Sequence, residues 1–181
     1  RATAREQKLK VRHRTGEEKQ GISLLWDTKR WGKEQKKYLP IENKVLEAVL
    51  ALGMFMAERG TSFNAFYGQK GICREQVEGI GGFDAFYNSV SKVIFDEGEE
   101  FSVLMSEVLR QDIFLKSKVV FCVVSGLNEN IMGQADRLDK AGILTIFYVV
   151  TDENIEDYIK QSNERKKIIV LPVEAGLEGR L

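Results

Sequence analysis

The side chains best suited to chemistry follow the first strand-like segment of the chain. Residues 21–26 (GISLLW) form a short apolar run that stops at Asp27, and Lys29, Arg30 and Trp31 come directly after it. A buried strand that ends at an acidic residue and precedes a helical pattern is typical of the first strand of an open α/β sheet. Because such sheets bind ligands outside the carboxyl ends of their strands, these side chains are predicted to lie at a binding site.

A carboxylate at a strand end also serves as the nucleophile in some phosphoryl-transfer chemistry. That reaction needs a second carboxylate or a metal nearby to neutralise phosphate charge, and Lys29 stands where the second carboxylate is expected. A hydrolase or phosphotransferase that uses Asp27 is the alternative function, and binding without catalysis is favoured. The stretch 79–84 (GIGGFD) lacks the last glycine of a dinucleotide fingerprint, so it predicts a tight turn into a helix and no cofactor.

Composition excludes several classes of function. The 181 residues carry 27 basic and 27 acidic side chains, so no net charge attracts nucleic acid.

Residues 1–20 form a basic lead-in, interpreted either as a solvated edge strand or as an arm that touches a partner. His13 is the only histidine, and no Cys or carboxylate stands at ligand spacing from it. Cys73 and Cys122 are predicted to be buried free thiols, and we expect the chain, which begins at Arg1, to be part of a longer protein.

Apolar periodicity predicts an alternation of strands and helices. Two strand-like runs, 61–67 and 70–77, are joined by too few residues for a crossover helix, so they are predicted to form an antiparallel hairpin. The other predicted strands are 21–26, 118–124, 143–150 and 167–173, and the predicted helices are 41–59, 84–95, 99–111, 128–141 and 153–163. We predict one α/β domain over residues 21–181, with a doubly wound, mostly parallel six-stranded sheet, one antiparallel edge strand and helices on both faces.

This order of elements resembles the von Willebrand factor A (vWA) fold over nearly the whole chain. Members of that group hold Mg²⁺ at the strand carboxyl ends through an Asp-x-Ser-x-Ser loop, a later Thr, and an Asp after the fourth strand. The positions that match these loops read Asp27-Thr-Lys29-Arg-Trp31, then Gly81-Gly-Phe83-Asp84, then Ser125-Gly126. Only Asp27 keeps its ligand type, and hard cations require oxygen ligands, so the resemblance implies a degenerate site that holds no metal.

The residues predicted to bind a partner are Asp27, Lys29, Arg30, Trp31, Phe83, Asp84, Ser125 and Gly126. Two interpretations of Lys29 stay open: it helps helix amino termini to receive a carboxylate or phosphate of the partner, or it pairs with Asp27 in an empty pocket. Phe83 likewise either joins Trp31 in an exposed aromatic patch or packs beneath the loop and fills the space of the missing ion. Trp26 is predicted to be core.

A more specific resemblance comes from the first 27 residues. Arg1-Ala-Thr-Ala-Arg5, then Leu9-Lys-Val-Arg12, then Leu24-Leu-Trp-Asp27 are similar to the motif of the bacterial domain-of-unknown-function family fifty-eight. The resemblance implies a membrane-anchored bacterial protein whose vWA-like domain lies on the cytoplasmic side of the inner membrane. It also implies genetic association with MoxR-type AAA+ ATPases, which are candidate partners. Members of that family often retain more of the metal motif than this chain does. Together with the degenerate loops, the resemblance predicts a non-enzymatic adaptor that binds a protein partner without metal, with membrane contact only through a segment outside residues 1–181.

Overall fold

A computed structural model of the chain describes residues 21–95, 99–111 and 116–174. The strands are β1 (Gly21–Trp26), β2 (Phe63–Gly68), β3 (Ile72–Val77), β4 (Ser117–Val124), β5 (Leu144–Val150) and β6 (Lys166–Leu171). The helices are α1 (Gln35–Glu58), α2 (Gly79–Val90), α3 (Phe101–Val108), α4 (Glu129–Lys140) and α5 (Glu156–Ile159). No helix in these ranges is both long and apolar enough to cross a membrane.

The six strands form a single sheet in the order β3-β2-β1-β4-β5-β6. Every neighbouring pair is parallel except β2 and β3, which run antiparallel with Phe63 opposite Val77. The predicted hairpin and edge strand are therefore confirmed. Strand β2 lies on one side of β1 and strand β4 lies on the other, so the order in which the chain adds strands reverses between β1 and β4. Open α/β sheets bind ligands at such a topological switch point.

Alternating side chains of the strands build two apolar layers, one on each face of the sheet. Trp26 and Phe63 belong to the layer covered by α1 and α2, whereas Leu25, Cys122 and Phe147 belong to the layer covered by α3 and α4. Trp26 is fully buried, as predicted. Both faces of the central strands are covered, which explains why β4 and β5 read as continuous apolar runs.

Several predicted element boundaries were wrong. Helix α1 begins at Gln35, so Pro40 lies inside the helix and not at its start. Proline has no amide hydrogen, so Pro40 cannot donate the helical hydrogen bond to the Lys36 carbonyl. Lys36 is exposed, so water can donate to that carbonyl instead. Helix α2 begins five residues before the predicted position, because Gly79 adopts a positive φ of 57° and turns the chain directly out of β3.

The two cysteines differ in their burial. Cys122 is a buried free thiol as predicted, whereas Cys73 lies on the edge strand β3 and is only half-buried, which corrects the prediction for that residue. Helix α5 covers only Glu156–Ile159, since the Asn163 side chain turns the chain into β6 by accepting the amides of Arg165 and Lys166. The predictions for residues 1–20 and for His13 fall outside the described ranges.

Candidate functional site

Asp27 directly follows the last residue of β1, at the point where the strand order reverses. Its amide continues the strand ladder by donating to the Val123 carbonyl at 2.9 Å, which fixes the backbone between β1 and β4. Only 3% of Asp27 is exposed, so the carboxylate is almost entirely removed from water. A buried carboxylate must find hydrogen-bond donors within the protein.

Three protein donors supply that need. The Lys29 amide donates to Oδ1 of Asp27 at 2.8 Å, while Trp31 Nε1 and Ser125 Oγ donate to Oδ2 at 3.0 Å and 3.1 Å. Burial raises the pKa of the Asp27 carboxyl above its ordinary value; the three hydrogen bonds and the positive charge of Lys29 act in the opposite direction. The structure thus brings four of the predicted residues together around one carboxylate.

The loop that carries these groups is held on both sides. Thr28 is buried and its hydroxyl donates to the Gly68 carbonyl at the end of β2, at 2.7 Å. Arg30 packs against α1. Its Nε lies 2.7 Å from a Glu42 carboxylate oxygen, and its guanidinium lies 4.1 Å from the centre of the Tyr38 ring. Arg30 is therefore a structural clamp for the loop, already engaged by an acidic partner.

Gly126 is placed where it supports Trp31. A Cβ atom built on Gly126 would lie 3.4 Å from Cη2 of Trp31, which is ordinary van der Waals contact, so any side chain longer than alanine would meet the indole. The ring stays 45% exposed while its nitrogen remains bonded to Asp27. A small residue at position 126 therefore leaves room for the indole at position 31.

Two concave surfaces meet at Trp31. A pocket of about 230 Å³ lies on one side, and its lining includes Asp27, Glu100 and Asn128. A groove of about 620 Å³ lies on the other side, and its lining includes Ser125, Ile155 and Val173. Trp31 lines both, so it is the exposed aromatic group shared by the two surfaces.

Phe83 and Asp84 do not lie at this edge, which corrects two of the predicted site positions. Strand β3 runs antiparallel, so its last residue, Val77, pairs with the first residue of β2 at the opposite, amino edge of the sheet. Helix α2 starts there. Phe83 is 6% exposed and packs against Phe86 and against Gly53 of α1, so it belongs to the core; Asp84 is an exposed residue of α2.

The segment before α3 occupies the position that was assigned to residues 81–84. Glu100 and Phe101 line the pocket beside Asp27, and sequence reasoning did not select them. The available signal was the start of an amphipathic helix after an acidic stretch, since residues 96–100 read DEGEE. Asn128 follows the predicted site residues Ser125 and Gly126 closely, and it caps α4 by accepting the Ile131 amide at 3.0 Å.

The described part of the chain offers few ligands for a metal. No group of three or more His, Cys, Asp and Glu side chains in those ranges is arranged to hold an ion. At the tip of β1, the groups nearest the Asp27 carboxylate are two side-chain donors and an amide, and each directs a hydrogen towards the oxygens. A divalent cation would need lone pairs directed at it from the same positions.

Comparison with known proteins tests the predicted fold. No family model matches the sequence, and no curated protein sequence matches it. A von Willebrand factor type A structure from Catenulispora acidiphila is similar, with a TM-score of 0.62 and 8% identity over 84% of this chain, which spans 38% of that protein. The SpRpn10 VWA domain gives a TM-score of 0.57 and 8% identity, over 87% of this chain and 90% of that one. Proximal thread matrix protein 1 from the mussel byssus gives 0.57 and 12%, over 83% and 43%. At such identities the likeness shows the fold alone, and the predicted vWA-like fold is confirmed.

Proposed function

We propose that this chain is a non-enzymatic interaction domain that docks a protein partner at the carboxyl edge of its sheet, around Trp31, without a bound metal. The observation that carries the proposal is the saturation of the Asp27 carboxylate by protein donors beneath a half-exposed indole. Exposed aromatic side chains set on rigid supports are the usual energetic centres of protein interfaces.

Metal-independent docking follows from the identity of the groups at the loop. The indole N–H of Trp31 stands at the second serine position of the Asp-x-Ser-x-Ser pattern and donates to the carboxylate, which is the part a cation would play. Lys29, at the first serine position, adds positive charge beside the same carboxylate. A divalent ion would have to displace the indole and overcome that charge.

Catalysis by Asp27 is the alternative, and the surroundings of this residue weigh against it. A nucleophilic carboxylate must be accessible to its substrate, whereas Asp27 is 3% exposed. Both of its oxygens are already engaged by donors. These features suit a structural carboxylate that positions Trp31.

The identity of the partner rests on the resemblance to family fifty-eight in residues 1–27. We propose a protein of a MoxR-type AAA+ ATPase system as the partner, with the domain on the cytoplasmic side of the bacterial inner membrane. The motif order Arg1–Arg5, Leu9–Arg12 and Leu24–Asp27 supports this assignment.

The test is co-purification from the source bacterium, with partners identified by mass spectrometry in the presence of either EDTA or Mg²⁺. We expect Trp31→Ala to abolish capture of a MoxR-type ATPase, and EDTA to leave capture unchanged. Tyr87→Ala is the matched control, because Tyr87 is an aromatic residue of α2 with 51% exposure. Equal capture by the Trp31→Ala variant would refute docking at this edge.

A thermal melt separates the proposal from the enzymatic alternative. A ligand that binds only the native state raises the melting temperature, so Mg²⁺ or Mn²⁺ at millimolar concentration should produce no rise. A metal-dependent rise that disappears in an Asp27→Ala variant would instead support a metal site at β1.

A further inference from the structure

The groove beside Trp31 extends along the carboxyl edge of the sheet. Its lining comes from the loop after β1 and the start of α1, and from the loops after β4, β5 and β6. These strands are neighbours in the order β1-β4-β5-β6, so the groove crosses three strand spacings. At about 4.8 Å per spacing, that distance is about 14 Å.

The two ends of the groove carry opposite charge. Lys36 and Lys37 belong to the first turn of α1, near β1. Asp152 and Glu153 follow β5, and Glu174 follows β6. All five side chains belong to exposed residues, so each can exchange its present surroundings for a ligand. Lys37 also pairs with Glu34 at 3.1 Å, but both side chains are at least 70% exposed, and such a pair contributes little.

Apolar groups line the groove as well, and Leu127, in the loop after β4, lies between the strands that carry the two kinds of charge. Ile41 of α1 and Leu127 of the loop after β4 form part of the lining, together with Ile155 and Tyr158 on the β5 side. All four are only partly buried, so each presents apolar surface to the groove. An apolar middle with charged rims matches the general organisation of protein interfaces.

The walls are held in place by local hydrogen bonds. The Glu153 amide donates to Thr151 Oγ1 at 3.1 Å, and the Glu156 amide donates to Asn154 Oδ1 at 2.9 Å. Asp152 ties the neighbouring loop by accepting the Val173 amide at 2.9 Å. A groove that already has its bound shape avoids part of the ordering cost of association.

We propose that this groove binds an extended segment of the partner protein in which an acidic and a basic side chain flank about two to three apolar residues. The acidic residues after β5 lie two strand spacings from β1, about 10 Å, and the one after β6 lies three spacings away, about 14 Å. An extended chain advances about 3.3 Å per residue, so the two charges of the segment are about three to four positions apart. The acidic side chain meets Lys36 and Lys37, and the basic side chain meets Asp152, Glu153 and Glu174. This inference rests on the proposed function, whose docking edge it specifies.

The experiment uses fluorescent peptides with one glutamate and one lysine separated by one to six residues of leucine, phenylalanine and serine, in both orders. Fluorescence anisotropy with the whole chain measures their affinities. We expect the affinity to peak at about two to three intervening residues in one of the two orders. Replacing either charge with its opposite should weaken binding about five-fold.

Charge-reversed variants test the assigned ends of the groove. Lys36→Glu/Lys37→Glu should weaken the best mixed-charge peptide at least five-fold and favour the peptide with two lysines. Lys92→Glu/Lys118→Glu changes the net charge equally at exposed residues outside the groove and should leave affinity within about two-fold. The inference is overturned if no peptide binds at millimolar concentration, if affinity is indifferent to spacing, or if the two double variants behave alike.

The outcome is separable from that of the proposed function. If Trp31→Ala abolishes capture of the partner while the Lys36→Glu/Lys37→Glu variant captures it normally, docking at the edge stands and the charge-matched segment is wrong. If peptide binding follows the predicted charge pattern while Trp31→Ala still captures the partner, the groove stands and the central role of Trp31 is wrong.

Discussion

Replacing Trp31 with phenylalanine removes the indole donor and keeps an aromatic ring over Gly126. Oδ2 of Asp27 then keeps only the Ser125 hydroxyl, within a side chain that is 3% exposed. Hydrogen bonds to charged groups contribute about 1.5–3 kcal/mol. Because Trp31 is 45% exposed, water can partly replace the indole, so we take the lower bound, about 1.5 kcal/mol. For a chain of this size, that loss lowers the melting temperature by about 3–6 °C.

The pH dependence gives this prediction a second, independent readout. The indole bond favours the ionised carboxylate and lowers the pKa of Asp27, so its removal raises that already raised pKa further. A carboxyl with a raised native pKa contributes stability that is fully present below the unfolded value, about 3.9, and is lost as the pH rises through the native pKa. The cost of Trp31→Phe must therefore be smallest near pH 4 and must grow as the pH rises through the native pKa of Asp27.

Urea denaturation between pH 4 and pH 8 measures both effects. The chain has two tryptophans, and the variant keeps only the buried Trp26 as its fluorescent probe. Tyr87→Phe, which removes a polar group from another exposed aromatic residue, is the control and should be neutral at every pH. A free energy of unfolding equal to that of the wild type, or a loss that is the same at pH 4 and pH 8, would refute the assigned role of the indole.

Three further outcomes follow from contacts elsewhere in the fold. Gly53→Ala should destabilise the chain by about 1–3 kcal/mol in urea denaturation, because the added Cβ would lie 2.6 Å from the ring of the fully buried Phe86. Arg30→Ala should cost about 2 kcal/mol by the same assay, since it leaves Glu42, whose side chain is 10% exposed, without its partner; an effect below about 0.5 kcal/mol would show that Arg30 does not clamp the loop. The Cys122 thiol, which is fully buried and has a raised pKa, should react with a thiol reagent only at the rate of unfolding.

The sequence predicted the sheet well because apolar patterning and connection lengths decide which strands pair. Continuous apolar runs identified β4 and β5, and the short link after β2 required the antiparallel hairpin. The resemblance to the vWA fold placed Asp27 and Ser125 at the carboxyl ends of two strands; the structure shows that these strands are adjacent and joins the two side chains by a hydrogen bond of 3.1 Å. These inferences use backbone geometry, which a sequence pattern reports directly.

The placement of Phe83 and Asp84 failed for a reason that was present in the predicted topology. An antiparallel β3 returns the chain to the amino edge, so a helix that starts directly after Val77 cannot contribute its first turns to the carboxyl edge. Similarity to a short glycine-rich motif outweighed that geometric requirement. The helical start at Gly79 was missed because two further glycines disfavour a helix locally, whereas packing of Phe86 on α1 more than offsets that preference.

The arrangement at Trp31 depended on side-chain contacts that no linear pattern reports. A strand-end carboxylate that is removed from water requires positive partners, and dipoles can meet that need as well as an ion can. Here an indole, a hydroxyl and an amide meet it together. A side chain longer than alanine at residue 126 would meet the indole, and the resemblance to vWA domains places an acidic residue at this position. A carboxylate at residue 126 would come against the ring of Trp31. Gly126 and Trp31 are therefore sterically matched, and the indole stays exposed for the docking role that we propose for it.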